Sequence, residues 1–138
     1  MEADLIFWPM ILLALATIWI YVPMSRVRVR TVKEGKAKPG TYRLLQDEPE
    51  ESLKFSNAIR NQYESPVLFY AVCLAAYVTG LAGPVMIVLA FAYAAAKLLH
   101  VWFQTTENRL SRRRPAFMLS YLILTIMWIV FAVQLVLY

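Results

Sequence analysis

The chain has 138 residues, of which 60% are hydrophobic and only 17% are charged, with a formal net charge of +5. Soluble domains are about half apolar, so this composition excludes an ordinary soluble domain and favours a single membrane domain. The positive charge does not indicate nucleic-acid binding, because every lysine and arginine except Lys97 lies within residues 26–60 or 109–114. Such segregation is typical of cytoplasmic loops in multi-pass membrane proteins.

The distribution of charge also predicts the topology. Both basic segments are expected in the cytoplasm, and both termini are expected on the opposite side of the membrane. In a bacterium this membrane would be the inner membrane. Cys73 is the only cysteine, so an intrachain disulfide is excluded, and the sequence offers no Cys/His set for a metal ion. We interpret Cys73 as a small packing residue, and we predict no metal site.

The first predicted helix covers residues 5–30. Residues 5–24 carry no charge and are long enough to cross the hydrocarbon core of a bilayer. The chain begins Met-Glu-Ala-Asp, so it lacks the basic start of a signal peptide, and we expect this helix to be retained. The polar residues 31–56 then predict a cytoplasmic loop. A loop of this length is unusual in a compact domain, and it is expected to fold over the cytoplasmic end of the bundle.

The second predicted helix, residues 57–79, begins with Arg60, Asn61 and Glu64 before a long apolar run. Polar groups at the edge of the bilayer are costly unless they are paired, so they indicate a site. Arg60 and Glu64 are four residues apart and share a helical face. Two interpretations remain open, an internal salt bridge or a pocket for a small charged ligand. Pro66 predicts a kink one turn after Glu64.

The third and fourth predicted helices cover residues 84–106 and 115–137, with a short turn before the third and a cytoplasmic loop, 107–114, before the fourth. Lys97, His100 and Gln104 form one polar stripe on the third helix. This stripe and the start of the second helix lie at cytoplasmic ends, so they are expected to meet at one depth. The predicted fold is all-α, an integral membrane antiparallel four-helix bundle.

These features together resemble the membrane-associated proteins in eicosanoid and glutathione metabolism, the MAPEG family. The resemblance rests on Arg60-Asn61-x-x-Glu64-x-Pro66, the polar stripe of the third helix and the basic residues that end the first. It covers nearly the whole chain. It implies a homotrimer that binds glutathione between neighbouring protomers near the cytoplasmic face. Glutathione has two carboxylates, one ammonium and a thiol, so its site needs several cations and an anion.

The resemblance also implies which residues form the ligand site. The positions that match are Arg28, Arg60, Asn61, Glu64, Lys97, His100 and Gln104. Within this set, arginine suits the carboxylates because its planar fork binds them in a bidentate manner, and Glu64 would accept the ammonium.

Arg113 matches the arginine that stabilises the thiolate, and it is therefore the candidate catalytic residue. Its neighbours Arg112 and Arg114 remain alternatives, because a slip of one residue would change the assignment. The chain departs from the family pattern at three positions. Lys97 replaces an arginine, and Gln104 and Phe117 stand where tyrosines are common. These departures affect catalysis more than they affect binding.

Two functional hypotheses follow. The first is a membrane protein that binds glutathione and transfers it to, or reduces, a lipophilic electrophile entering from the bilayer, as a membrane-bound glutathione transferase or peroxidase would. The second is a non-catalytic structural or accessory subunit of a larger membrane complex, in which Arg60 and Glu64 only pair with each other. A channel or transporter ranks third, because no broken helix is predicted.

Overall fold

The computed structural model describes residues 2–137, and all regular structure in this range is helical. A short 3-10 helix, Ala3–Ile6, leads into the first α-helix. The six α-helices are α1 (Phe7–Lys33), α2 (Pro39–Leu44), α3 (Glu50–Gln62), α4 (Ser65–Val78), α5 (Pro84–Thr105) and α6 (Leu110–Leu137). The all-α class that the sequence predicts is confirmed.

Three of the helical segments are long and apolar enough to cross a membrane. They are Ala3–Lys33, Pro84–Thr105 and Leu110–Leu137. Large apolar side chains such as Trp19, Val78 and Val136 point away from the protein interior and are mostly exposed. A surface of this kind is stable in lipid rather than in water. The chain is therefore a multi-pass integral membrane protein.

The core lies between α1, α4, α5 and α6. The rings of Phe69 and Tyr93 stack with their centroids 4.4 Å apart, and alanines such as Ala76 and Ala90 allow the helices to approach closely. A second, smaller cluster packs α1 against α3 and α5. Its buried members are Ile20, Met24, Phe55, Ala58 and Val101. The second cluster fixes α3, and so the residues that precede Glu64, against the rest of the bundle.

The predicted helix 57–79 is two helices. α3 ends at Gln62 and α4 begins at Ser65, with Glu64 in a non-helical conformation (φ −97°, ψ −96°). Pro66 explains the position of the break. If the helix continued, the proline ring would clash with the carbonyl group of Gln62. Proline also has no N–H that could donate a hydrogen bond to that carbonyl. The helix therefore breaks at Tyr63 and Glu64 instead of kinking one turn after Glu64, and the expectation that no helix is broken was wrong.

The predicted loop 31–56 also contains more helix than expected. α1 continues to Lys33, α2 follows, and α3 starts at Glu50. Glu50 and Glu51 occupy the first turn of α3, where negative charge interacts favourably with the helix dipole. The hydroxyl group of Tyr42 in α2 contacts those of Thr31 in α1 and Ser52 in α3, so hydrogen bonds tie this segment to both helices.

The fourth predicted helix starts earlier than residue 115. α6 begins at Leu110, so the three consecutive arginines lie in its first turns instead of in a loop. Arg112 pairs with Glu107 at 3.0 Å, and Arg113 donates to the side-chain oxygen of Asn108 at 2.8 Å. These contacts hold the basic turns in helical form, and Pro115 lies inside the helix.

Candidate functional site

Two of the predicted site arginines line a cavity between the C-terminal half of α1 and α3. Arg28 and Arg60 border this cavity of about 300 Å³, which we call the first cavity. Its remaining walls come from Tyr21, Met24, Leu45, Glu48, Leu53, Ser56 and Ile59. The cavity therefore combines two guanidinium groups with one carboxylate beside apolar side chains.

Arg28 is held by the segment that follows α2. Its Nε and Nη2 atoms each lie 3.3 Å from Oε1 of Glu48, and Nη2 also donates to Oγ of Ser56 at 2.8 Å. The guanidinium group lies over the ring of Tyr42, 5.0 Å from its centroid. Tyr42 is fixed in turn by a hydroxyl contact of 2.6 Å to Thr31. Arg28 is thus fixed in position rather than free to move.

Other predicted residues line a second cavity between α3, α5 and α6. Asn61, His100 and Arg113 border this second cavity of about 230 Å³, together with Leu110, Arg114 and Phe117. Asn61 donates from Nδ2 to Oε1 of Gln104 at 3.0 Å. The polar residues of α3 therefore meet the polar stripe, which lies on α5, as the sequence predicts.

His100 presents one unpaired ring nitrogen beside the second cavity. Its Nδ1 atom lies 3.2 Å from the backbone carbonyl of Arg113, so that nitrogen donates its proton. Nε2 is buried and has no hydrogen-bond partner among residues 2–137. In the neutral ring Nε2 is then an acceptor, and a buried acceptor without a partner is a candidate contact for a ligand.

Lys97 lies deeper, in neither cavity. Its side chain is fully buried at 0% exposure, and Nζ donates to Oγ of Ser65 at 2.9 Å. The same oxygen accepts a hydrogen bond from the hydroxyl of Tyr93 at 3.0 Å. The ring of Phe117 lies 5.7 Å from Nζ. The structure thus places Lys97 against α4, so it forms part of the core beneath the second cavity.

Glu64 is exposed at the break between α3 and α4. Among the ion pairs of the described range, none joins Glu64 to Arg60. The break changes the helical register, so the two residues no longer have the spacing that would bring their side chains together. The internal salt bridge, one of the two interpretations from sequence, is therefore not formed.

Two residues that shape this region, Glu48 and Ser65, are hard to recognise from the sequence. Glu48 stood among several acidic residues of a predicted loop, and only the fold shows that it binds Arg28. Ser65 precedes Pro66, and proline disfavours the helical conformation in the residue before it. That rule marked Ser65 as a boundary position but not as the acceptor for two buried donors.

A sequence model of the MAPEG family matches residues 6–133, which is nearly the whole chain. The chain belongs to the MAPEG family. No curated protein and no solved structure matches it. As a MAPEG protein it fits a membrane protein related to glutathione metabolism.

Proposed function

We propose that this MAPEG protein binds glutathione in sites formed between neighbouring copies of a homotrimer, each copy a four-helix membrane bundle. One observation carries the proposal. The predicted ligand residues of one chain lie in two separate cavities, with Arg28 and Arg60 in the first and Asn61, His100 and Arg113 in the second. Each cavity holds part of the chemistry that glutathione needs, so a complete site combines the first cavity of one protomer with the second cavity of its neighbour.

The charges agree with this division. Arg60 in the first cavity forms no ion pair within residues 2–137 and is available for a carboxylate. Arg113 and the free Nε2 of His100 in the second cavity suit the thiol end. A guanidinium near sulfur favours the thiolate over the thiol. The thiolate would then attack a lipophilic electrophile that enters from the bilayer.

The proposed site lies at the basic ends of the long helices, which we place in the cytoplasm with both termini on the opposite side. Cytoplasmic access suits a charged, water-soluble ligand, while the apolar outer surfaces of α1, α5 and α6 contact lipid. The thiol end of the ligand therefore meets the membrane-dissolved substrate at the interface.

The first test is thermal unfolding of the detergent-purified protein with increasing glutathione, beside an analogue in which a methyl group replaces the thiol. Both ligands are expected to raise the melting temperature, because ligand binding to the folded state adds stability. Arg60→Ala is expected to abolish the rise, and Glu64→Ala to reduce it. Arg43→Ala, an exposed position in α2, is the matched control and should behave like the unaltered protein. No rise with either ligand would contradict the proposal.

One observation favours a second candidate, a non-catalytic accessory subunit. Phe117 borders the second cavity where a hydroxyl group would assist the thiolate, and its ring can donate no hydrogen bond. Binding without turnover would then remain. A partner protein that purifies in equal amounts after gentle solubilisation would support this candidate, whereas a homotrimer without other subunits would count against it.

A further inference from the structure

We propose that an anionic glycerophospholipid of the bilayer binds along α1, with an acyl chain in an apolar groove between α1 and α5 and the phosphate against Arg26 and Lys33. The residues of this lipid site border neither the first nor the second cavity. The proposal therefore does not depend on glutathione binding.

The apolar groove runs between two helices that both cross the membrane. Trp19 and Pro23 line it on α1, Leu98 and Trp102 line it on α5, and its volume is about 320 Å³. The two tryptophan side chains are 67% and 64% exposed, so the groove opens toward the surroundings of the bundle. In a bilayer those surroundings are acyl chains, and tryptophan is enriched where the chains meet the headgroups. The groove therefore suits one segment of a lipid tail.

Two cations continue the same line of α1 beyond the groove. Arg26 follows Trp19 after about two helical turns, and Lys33 follows Arg26 at the same interval, so the three side chains lie nearly in one row. Arg26 lies about 10 Å further along the helix axis than Trp19. On the other side of the groove, α5 ends at Thr105, one turn after Trp102. Both cations therefore lie past the apolar walls, where a headgroup would follow its tail.

Both cations of this row are exposed, and neither has an ion-pair partner within residues 2–137. The acidic groups at this end of α1 are already occupied. Glu34 and Glu51 pair with Lys36 at 2.9 and 2.7 Å, and Glu51 also pairs with Arg30 at 2.7 Å. A basic side chain next to a membrane attracts anionic lipids. The row therefore has the charge complementary to a phosphate group without a neighbouring ammonium.

Helical geometry separates the lipid site from the proposed glutathione site. Arg28 borders the first cavity, and Arg26 lies about 200° away from it round the helix, because two residues cover just over half a turn. A neighbouring protomer that completes the first cavity approaches the Arg28 side of α1. The Arg26 side is then left to the lipid.

The test uses tryptophan fluorescence, because two of the four tryptophans line the groove. Trp8→Phe/Trp128→Phe leaves Trp19 and Trp102 as reporters. The protein is reconstituted in phosphatidylcholine bilayers with a minor share of a lipid whose acyl chains carry bromine, which quenches nearby indole rings. Brominated phosphatidylglycerol, which is anionic, is expected to occupy the groove with a binding constant about tenfold above that of brominated phosphatidylcholine, which is zwitterionic. High salt should reduce this preference.

Two double variants in the reporter protein separate the lipid site from the overall charge. Arg26→Gln/Lys33→Gln is expected to reduce the tenfold preference to about twofold or less, because both cations of the row are lost. Lys38→Gln/Arg43→Gln removes the same charge from exposed positions at the start of α2 and within it, and it should keep the preference. An equal loss in the two double variants would show that net charge alone attracts the lipid, and the assignment would be wrong.

A second reporter protein tests the location. Trp19→Phe/Trp102→Phe leaves Trp8 and Trp128, which do not line the groove, and it should show no preference between the two brominated lipids. The same preference at both reporter pairs would contradict a defined site. Equal quenching of Trp19 and Trp102 by the two lipids would show that the groove takes any acyl chain. Absence of quenching there would show that another protomer covers the groove, and either result would overturn the proposal.

Discussion

Ser65 shows how one small side chain can satisfy two larger buried groups. Its hydroxyl oxygen accepts from the ammonium of Lys97 and from the hydroxyl of Tyr93, and all three side chains are buried. A buried charge in an apolar interior is costly unless it has hydrogen-bond partners. Ser65 supplies the only hydrogen bond that the side chain of Lys97 makes within residues 2–137. The hydroxyl at the start of α4 therefore stabilises the core.

We predict that Ser65→Ala destabilises the protein by about 1–3 kcal/mol, since it leaves two buried donors without their acceptor. Thermal or denaturant unfolding in detergent measures the change. Ser111→Ala, an exposed position in the first turn of α6, is the matched control and should alter stability little. Equal stability of the two variants would show that Lys97 and Tyr93 do not depend on Ser65.

Sequence reasoning at this scale succeeded where helical spacing alone determined the contact. Asn61 and Gln104 were expected at one depth on neighbouring helices, and they form a direct hydrogen bond. It failed for Arg60 and Glu64, because their pairing required an unbroken helix. It also missed Glu48, since the partner of a residue in a long connecting segment depends on how that segment folds.

At the scale of the element, the break between α3 and α4 is the feature that organises the site. It separates the polar helix α3 from the apolar helix α4 and exposes Glu64 at their junction. The cause of the break, Pro66, can be recognised in the sequence. The position of the break cannot, because it depends on the carbonyl group one turn earlier and on the packing that holds α3 against α1.

The segment after α1 is held by an exposed group of charges. Glu51 accepts from Lys36 and from Arg30, both at 2.7 Å, and Lys36 also pairs with Glu34 at 2.9 Å. The hydrogen bonds from Lys36 and Arg30 lower the pKa of Glu51 below its ordinary value of 4.5. The same contact with Glu51, followed by that with Glu34, raises the pKa of Lys36 above 10.5. This charge group therefore links the start of α3 to the end of α1.

The pH dependence follows from the direction of the Glu51 shift. A lowered folded-state pKa means that the carboxylate stabilises the fold above its ordinary pKa and that this contribution is lost as the pH falls. We predict that the melting temperature of the unaltered protein falls more between pH 7 and about pH 3.5 than that of Glu51→Gln. Because the group is exposed, the difference should be small and should decrease at high salt.

Glu50→Gln is the control for this measurement. Glu50 is the neighbouring exposed residue and forms no ion pair in the part of the chain described here. Its variant loses an interaction with the helix dipole but no ion pair, so its acid-induced fall should be closer to that of the unaltered protein than to that of Glu51→Gln. A fall in Glu51→Gln as large as in Glu50→Gln would show that the charge group does not stabilise the segment.

At the scale of the whole molecule, the arrangement of the two cavities yields a prediction about assembly. If each site combines two protomers, Arg60→Ala and His100→Ala proteins each lose glutathione binding, but a mixed trimer regains it. In a ring of three, only one junction pairs an intact first cavity with an intact second cavity, so about one third of the sites return. A site within a single chain would return none.

The measurement uses the two variants co-expressed with different tags and purified through both. Native mass spectrometry should give a particle of three times 15.9 kDa with up to one bound glutathione. Co-expression of two differently tagged Arg60→Ala chains is the matched control and should bind none. Dimers, or mixed trimers without ligand, would contradict the proposed assembly.

Sequence and structure agree best on the whole molecule. Composition and charge placement predicted a multi-pass helical membrane protein, and the third helix was placed at 84–106 against Pro84–Thr105 in the structure. The length of each apolar run, and the glycines and prolines at its ends, determine the bounds of such a helix locally. The segment between α1 and α3 depends instead on contacts between side chains that are distant in the sequence, among them Arg28 with Glu48. The early start of α6 depends on local side-chain contacts that the apolar pattern does not reveal, such as Arg112 with Glu107.

The length of α4 has a consequence for the biogenesis of the protein. Its 14 residues span about 21 Å at the rise of an α-helix, less than the ~30 Å of a hydrocarbon core. A helix this short is a weak insertion signal when it leaves the ribosome alone. The uncharged turn at residues 79–83 joins it to α5, whose 22 residues are sufficient. We therefore expect α4 and α5 to enter the bilayer together as one helical hairpin.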